Sequence, residues 1–381
     1  MLRTDDLDYE LPEELIATTP ADPRDSARLL VVSRSDPARQ EHRRVRDLPE
    51  VLGPGLMVVN ATRVLPARFR GLRADTGGAA EGLYVESPGP SKWTVLLKMR
   101  RMKPGVVVRL LDHEHRPCDV QLRLMERTGE DNGAWHVAVE DQHSAPVTVG
   151  PPELLGRIGL TPLPPYIRAA RKTGHVDVSD ERDRATYQTV YATERGERSG
   201  CGSVAAPTAG LHFTPELLAR LSAKGVGRAE VTLDVGLGTF KPVETEFVEQ
   251  HPMHSEWCGV PEETAEAILA ARREHRSVIA VGTTSARTLE SFESPDEMLR
   301  VKSKETRILI TPGYRFRHVD ALMTNFHLPK STLMAMVAAF LAPPDASRAA
   351  EGVARIRAIY AEALRERYRF YSYGDAMLIL P

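Results

Sequence analysis

The feature that most constrains this chain is a set of apolar strands that stop abruptly at polar, glycine-bearing loops. Val278-Ile279-Ala280-Val281 runs straight into Gly282-Thr283-Thr284-Ser285, and a helical pattern continues from Ser285 to Phe292. Val235 leads into Gly236-Leu237-Gly238-Thr239-Phe240, Ile310 into Pro312-Gly313-Tyr314, and Met323 into Thr324-Asn325-Phe326-His327. A short apolar run with no alternation reads as a strand covered on both faces. In open α/β sheets ligands sit beyond the carboxyl ends of strands, where glycine admits close backbone and helix N-termini offer unpaired N–H groups. Four such ends in one chain point to a shared site.

The helices and strands around these ends alternate. Thr214 caps a helix with Pro215 at its first position, and Gly225 ends it. Strands at Glu230–Val235, Val278–Val281, Ile308–Ile310 and Val319–Met323 are separated by helices at Pro261–Arg273 and Ser285–Phe292. A final amphipathic helix spans about Ala346 to Tyr368. The order implies an α/β domain with a mostly parallel sheet. From Ala67 to Gln142 the texture differs: Cys118, Val120, Leu122 and Leu124 alternate with Asp119, Gln121 and Arg123, and Trp135, Val137 and Val139 alternate likewise. That period of two, punctuated by Thr76-Gly77-Gly78, Lys103-Pro104-Gly105 and Asn132-Gly133, predicts a small β-barrel. The expected organisation is an α/β domain of residues 1–66 and 151–381 with a β-barrel domain, 67–150, inserted in it. The charged stretch Ala170–Arg184 reads as a mobile loop.

Composition narrows the function. The net charge of −2 gives no global attraction to polyanions, so a nucleic-acid partner needs a local basic surface. Cys118, Cys201 and Cys258 lie far apart without a CxxC pair, which argues against a disulfide framework or a thiolate zinc site and fits a cytoplasmic protein. The acidic start lacks the pattern of a signal peptide, and the longest apolar run, Leu333–Ala342, is too short to span a bilayer.

Histidines supply the titratable groups. His212 precedes the Thr214-capped helix, His327 follows the Met323 strand, and His254 with Glu256 lies in His251-Pro252-Met253-His254-Ser255-Glu256-Trp257. Any one of them is most simply a hydrogen-bonded structural side chain, but loops feeding one cleft make acid–base work the better reading for His212 and His327. His254-x-Glu256 echoes the zinc deaminases, yet no P-C-x-x-C follows, and no metal is expected. Lys330-Ser331-Thr332 lacks the glycines of a phosphate loop, and Gly236-Leu237-Gly238 lacks the third glycine of a dinucleotide fingerprint. Arg100 and Arg101 in the barrel region, and Arg168 near the charged stretch, belong to basic clusters that permit a phosphate-tracking surface.

Ten stretches then carry a resemblance: DYELPEELIATTPADPRDSARLL from Asp8, VVNATRVLPAR, PLPPYI, YQTVYA, GSVAAPTAGLHFT, VGLGTFKPV, HPMHSEW, VGTTSARTLES, DALMTNFHLPKSTL and YRFYSYGDAMLI. In this order they resemble, almost from end to end, the S-adenosylmethionine:tRNA ribosyltransferase-isomerases of queuosine biosynthesis. The resemblance implies an α/β domain paired with a β-barrel. It also implies transfer of the ribosyl portion of S-adenosylmethionine to 7-aminomethyl-7-deazaguanine at the tRNA wobble position, giving epoxyqueuosine, adenine and methionine. S-adenosylmethionine is then a substrate, tRNA the partner, and no metal or membrane is involved; a monomer is favoured. Under it, His212, His254, Glu256, His327 and Asp375 form the catalytic set. Thr283, Thr284, Ser285, Asn325, Gly238 and Thr239 hold the donor, and Arg63, Tyr187, Gln188, Tyr191, Arg168, Arg100 and Arg101 face the modified base or its tRNA. Tyr187 and Tyr191, four apart on an expected helix, fit simple packing equally well. Two positions depart from the family pattern: Ala61 stands where an amide or carboxylate is usual, and Asp234 where histidine is. They motivate one alternative, a relative acting on another acceptor; a non-catalytic tRNA-binding paralogue that keeps the fold is a second, from a different class.

Overall fold

A computed structural model describes residues 1–128, 133–193, 203–236, 242–343 and 348–381. The chain forms β1 (Arg28–Ser33), β2 (Gln40–Arg44), α1 (Leu48–Val51) and β3 (Gly55–Asn60) before entering a second body of strands. These are β4 (Arg68–Arg73), β5 (Ala79–Gly89), β6 (Lys92–Lys98), β7 (Val107–Leu111), β8 (Pro117–Arg127) and β9 (Trp135–Asp141). Three helices follow, α2 (Pro151–Ile158), α3 (Pro165–Thr173) and α4 (Asp180–Thr186), then α5 (Pro215–Ala223), β10 (Val226–Leu233), β11 (Glu256–Gly259) and α6 (Glu262–Arg273). The remainder is β12 (Ser277–Val281), α7 (Thr283–Glu290), α8 (Pro295–Val301), β13 (Ser303–Thr306), β14 (Ala321–Asn325), α9 (Thr332–Leu341), α10 (Ala349–Arg365) and β15 (Ala376–Leu380).

Strands β4 to β9 close into a barrel in the order β4-β5-β6-β9-β8-β7, every pair antiparallel. The alternating residues read from the sequence point inward: Val120, Leu122, Leu124, Trp135, Val137 and Val139 join Phe69, Tyr84 and Trp93 in one core, together with Leu154, Leu155 and Ile158 of α2. The chain enters and leaves at one place. Arg68 and Leu160 pair antiparallel, each N–H donating to the other's carbonyl at 3.1 and 2.5 Å. Gly159 sits so close to this crossing that a Cβ there would lie 1.9 Å from the Pro66 carbonyl oxygen, which leaves room only for hydrogen.

The main sheet has nine strands ordered β13-β11-β10-β3-β12-β14-β15-β1-β2. It is mixed, which corrects the expectation of a mostly parallel sheet. The pairs β10–β3, β3–β12, β12–β14 and β15–β1 are parallel, whereas β13–β11, β11–β10, β14–β15 and β1–β2 are antiparallel. The antiparallel step at β15 follows a helical hairpin: α9 and α10 pack against each other between β14 and β15, and the chain re-enters beside the end at which β14 finishes.

Two further expectations are corrected. Ile308–Ile310 forms no strand; the ladder lies just before it, at Ser303–Thr306. The Ala170–Arg184 stretch is largely helical, in α3 and α4 rather than a loop. Its charges satisfy one another: Arg171 grips Asp183 with two bonds of 2.7 Å, both side chains nearly buried, and Arg184 holds Asp180 at 2.7 Å. Among the described residues no helix is long and apolar enough to cross a membrane.

Candidate active site

The strand ends converge as the sequence suggested. Gly282 caps α7 with φ of 90° and ψ of 152°, a conformation side-chain-bearing residues avoid, and its N–H donates to Met323 O at 2.7 Å. This turn folds β12 directly into α7. Ala286 N–H is bonded back to Gly282 O, so the N–H groups of Thr283, Thr284 and Ser285 have no acceptor within the helix. The cavity before them is lined by Thr208 and Ala209, by Gly282, Thr283 and Thr284, by Thr324 to Leu328 after β14, by Ser331 at the α9 cap, and by Tyr166, Tyr371 and Ser372.

Of the expected donor contacts, Thr283, Thr284 and Asn325 line this cavity. The Thr284 hydroxyl and the Asn325 carboxamide oxygen are buried without a hydrogen-bond partner. Ser285 is turned away: its hydroxyl donates to Val281 O at 2.7 Å inside the α7 turn. Gly238 and Thr239 lie outside the described residues.

The histidines divide. His327 lines the cavity, its Nε2 2.8 Å from Thr324 Oγ1, and burial pushes its pKa down to about 4. Its backbone is clamped from two sides, since Tyr9 OH donates to His327 O at 2.5 Å and His327 N–H donates to Tyr360 OH at 2.8 Å. His212 lies behind Asn325, with Nε2 3.3 Å from Asn325 Nδ2; burial, reinforced by the charges of Arg369 and Arg24, pushes its pKa down to about 3. Both rings are therefore neutral at pH 7. His254 is half-buried in the loop before β11 and does not line the cavity.

The two carboxylates are committed elsewhere. Glu256 accepts Gly236 N–H at 3.2 Å and pairs with Arg287 of α7 at 2.5 Å. Asp375 accepts the backbone N–H of Arg28 at 3.0 Å and of Arg369 at 2.8 Å, pinning the turn before β15 to the start of β1. Neither lines the cavity. Among the described residues no group of three or more His, Cys, Asp or Glu is assembled to hold a metal ion.

The residues expected to face the acceptor are spread. Tyr187 and Tyr191 follow α4 instead of lying on one helix, and both are packed side chains: Tyr187 meets Tyr373 edge-on at 5.8 Å, and Tyr191 meets Phe213 at 6.3 Å. The Gln188 carboxamide brackets the backbone of Val64, accepting its N–H at 3.0 Å and donating to its carbonyl at 3.3 Å. Arg63 is exposed on the loop after β3. Arg168 of α3 reaches the barrel and pairs with Glu81 at 2.7 Å. Arg100 and Arg101 are exposed on the loop between β6 and β7, whose carbonyls are held from beneath by the buried Arg73 at 2.6 and 3.0 Å. Asn60 ties this region to the sheet, donating to Leu233 O at 3.0 Å and accepting from Thr62 Oγ1 at 2.6 Å, while Ala61 is buried in the apolar layer below. Asp234 is half-buried just past β10.

The structure also brings in residues that the sequence reading passed over. Arg287 sits four residues after Thr283 in VGTTSARTLES, and Tyr166, Tyr371 and Ser372 lie within PLPPYI and YRFYSYGDAMLI. Tyr166 OH and Ser372 Oγ are 2.6 Å apart at the cavity wall.

Comparison with known proteins covers nearly the whole chain. The family described as "Queuosine biosynthesis protein" matches residues 4–379. S-adenosylmethionine:tRNA ribosyltransferase-isomerase of Caulobacter vibrioides is 47% identical over 99% of this chain and 98% of its own, and that of Symbiobacterium thermophilum is 46% identical over 100% of both. A solved S-adenosylmethionine tRNA ribosyltransferase from Thermotoga maritima is 31% identical, with a TM-score of 0.50 over 98% of this chain and 100% of that one. The chain belongs to the queuosine biosynthesis protein family.

Proposed function

We propose that this chain is an S-adenosylmethionine:tRNA ribosyltransferase-isomerase. It moves the ribosyl portion of S-adenosylmethionine onto 7-aminomethyl-7-deazaguanine at the wobble position of tRNA and isomerises it, giving epoxyqueuosine, adenine and methionine. The observation that carries the reading is the cavity at the ends of β12 and β14, where Thr284 and Asn325 leave buried polar atoms open, in a chain nearly half identical to enzymes of that name.

The residues suit the chemistry. The sulfonium acidifies the adjoining ribose carbon, so one group must take a proton and another must protonate the departing adenine. His327, neutral and at the cavity wall, is the proton acceptor in this reading. Thr283 and Thr284 at the N-terminus of α7 hold the donor, with Asn325 opposite. His212 supports Asn325, and Glu256 with Arg287 sets the height of α7 and of Gly236; Asp375 shapes the turn carrying Ser372. Arg63, Arg100, Arg101 and Arg168 follow the tRNA backbone, and the barrel of residues 67–150 serves as an inserted domain of a monomeric, cytoplasmic enzyme. An assay with S-adenosylmethionine and tRNA carrying the aminomethyl deazaguanine tests this. Adenine release with a new epoxyqueuosine nucleoside by mass is the expected result; folded, donor-binding protein that releases none would overturn it.

A further inference from the structure

We infer that the carboxamide oxygen of Asn325 reads an amine N–H of the bound donor, an inference that rests on the reading of this cavity as the S-adenosylmethionine site. Asn325 is 2% exposed at the end of β14. Its Nδ2 lies 3.1 Å from Tyr371 O and 3.3 Å from His212 Nε2. A backbone carbonyl only accepts, so the NH2 end must face Tyr371, and the orientation of the amide is set. His212 Nε2 then accepts as well, which leaves the imidazole proton on Nδ1.

Tyr371 itself is held with φ of 72°, a left-handed conformation that residues with side chains seldom adopt. Its N–H donates to Phe326 O at 3.1 Å and its carbonyl accepts from Gly374 N–H at 3.0 Å. This strained turn is what aims the carbonyl at Asn325, and it leaves Asn325 Oδ1 directed away, buried and without a partner. A buried acceptor left unpaired is costly, so the group that satisfies it comes with the ligand.

The chemistry of that group follows from the rest of the lining. Ser331 Oγ is spent on the α9 cap, donating to Leu328 O at 2.7 Å and accepting Met334 N–H at 3.2 Å, and Thr324 Oγ1 is paired with His327 Nε2. The hydroxyls of Thr208, Thr283 and Thr284 both give and accept hydrogen bonds, as ribose hydroxyls do. The Asn325 oxygen only accepts; with both-way hydroxyls elsewhere in the lining to meet the ribose, the donor-only groups of the ligand are the partners it suits best. S-adenosylmethionine has two of these, the exocyclic amine of adenine and the ammonium of its methionine.

Calorimetric titration of the full chain with S-adenosylmethionine, its 6-deamino analogue and its analogue lacking the ammonium tests the inference, in the wild type and in Asn325→Ala. One analogue should bind the wild type about tenfold to a hundredfold more weakly than the donor itself, and the variant should lose most of that discrimination. Which analogue fails identifies the amine. If Asn325→Ala does not melt cooperatively, Asn325→Ser replaces it, and the wild-type series decides independently. Binding of both analogues to the wild type as tightly as the donor would overturn the inference, as would discrimination unchanged in the variant. Absence of any S-adenosylmethionine binding would instead sink the functional reading itself.

Discussion

Arg287 places a guanidinium nitrogen 2.5 Å from the Glu256 carboxylate, with both side chains more than nine-tenths buried. One partner belongs to the helix whose N-terminus faces the cavity, the other to a strand near the sheet edge. Removing one charge strands the other in a dry interior. Arg287→Ala should therefore cost about 3–5 kcal/mol of stability, while the double change Arg287→Met with Glu256→Leu should recover much of it. Urea unfolding of the three proteins decides; a single variant that loses under about 1 kcal/mol would mean the pair is solvated.

Stability should depend on the two neutral histidines. Burial holds His212 near 3 and His327 near 4, whereas in the unfolded chain each ring takes up a proton at about pH 6.5. Below 6.5 the unfolded state binds more protons than the folded one, so stability falls as pH drops from about 6.5 towards 4, by up to about 1.4 kcal/mol per pH unit for each ring. Above 6.5 the contribution is flat. His327→Gln should remove one ring's share of the slope between pH 6.5 and 5, read from denaturant midpoints. An unchanged slope would show that His327 titrates freely in the fold.

The tyrosine clamp on His327 gives a kinetic prediction. Tyr360→Phe leaves the His327 N–H buried without its acceptor, at a cost of about 1–3 kcal/mol in stability. Because the imidazole loses its fixed position, kcat should fall more than KM for S-adenosylmethionine rises. Steady-state kinetics on the folded variant that show wild-type kcat would refute the link.

Salt dependence checks the barrel loop. Arg100→Ala with Arg101→Ala should weaken tRNA binding most at low salt and flatten the plot of log affinity against log salt by about 0.7–0.9 per lost phosphate contact. Two parallel lines for wild type and variant would place the tRNA elsewhere.

Much of this architecture could be read from residue order because the relevant signals are local. Alternation at Val120–Leu124 and Trp135–Val139 needs only neighbouring residues to declare a barrel strand, and Gly282-Thr283-Thr284 after an apolar run declares a strand end. Strand direction is different. Nothing within Ala376–Leu380 says that it runs against β14; its direction depends on how α9 and α10 pack between the two strands. Charge also misled. In α3 and α4 the pairing of Arg171 with Asp183 is invisible until both helices exist, so a stretch with few apolar residues reads as loop. Arg287 escapes a reading of the sequence for the related reason that a charged residue on a helix usually faces water, while every residue of α7 is buried. Asp375 marks the same limit from the other side: a carboxylate serves backbone N–H groups as readily as a substrate, and here it accepts from Arg28 and Arg369.

The paired crossing at Arg68 and Leu160 has a consequence for how such a protein can change over generations. Because the chain departs and returns through adjacent, hydrogen-bonded residues, everything between them can be lengthened, trimmed or exchanged without shifting the register of a single strand in the nine-stranded sheet. Mutations that reshape the barrel's outer face thus fall on one side of this crossing, and a lineage can alter that body while the sheet framing the cavity stays as it was.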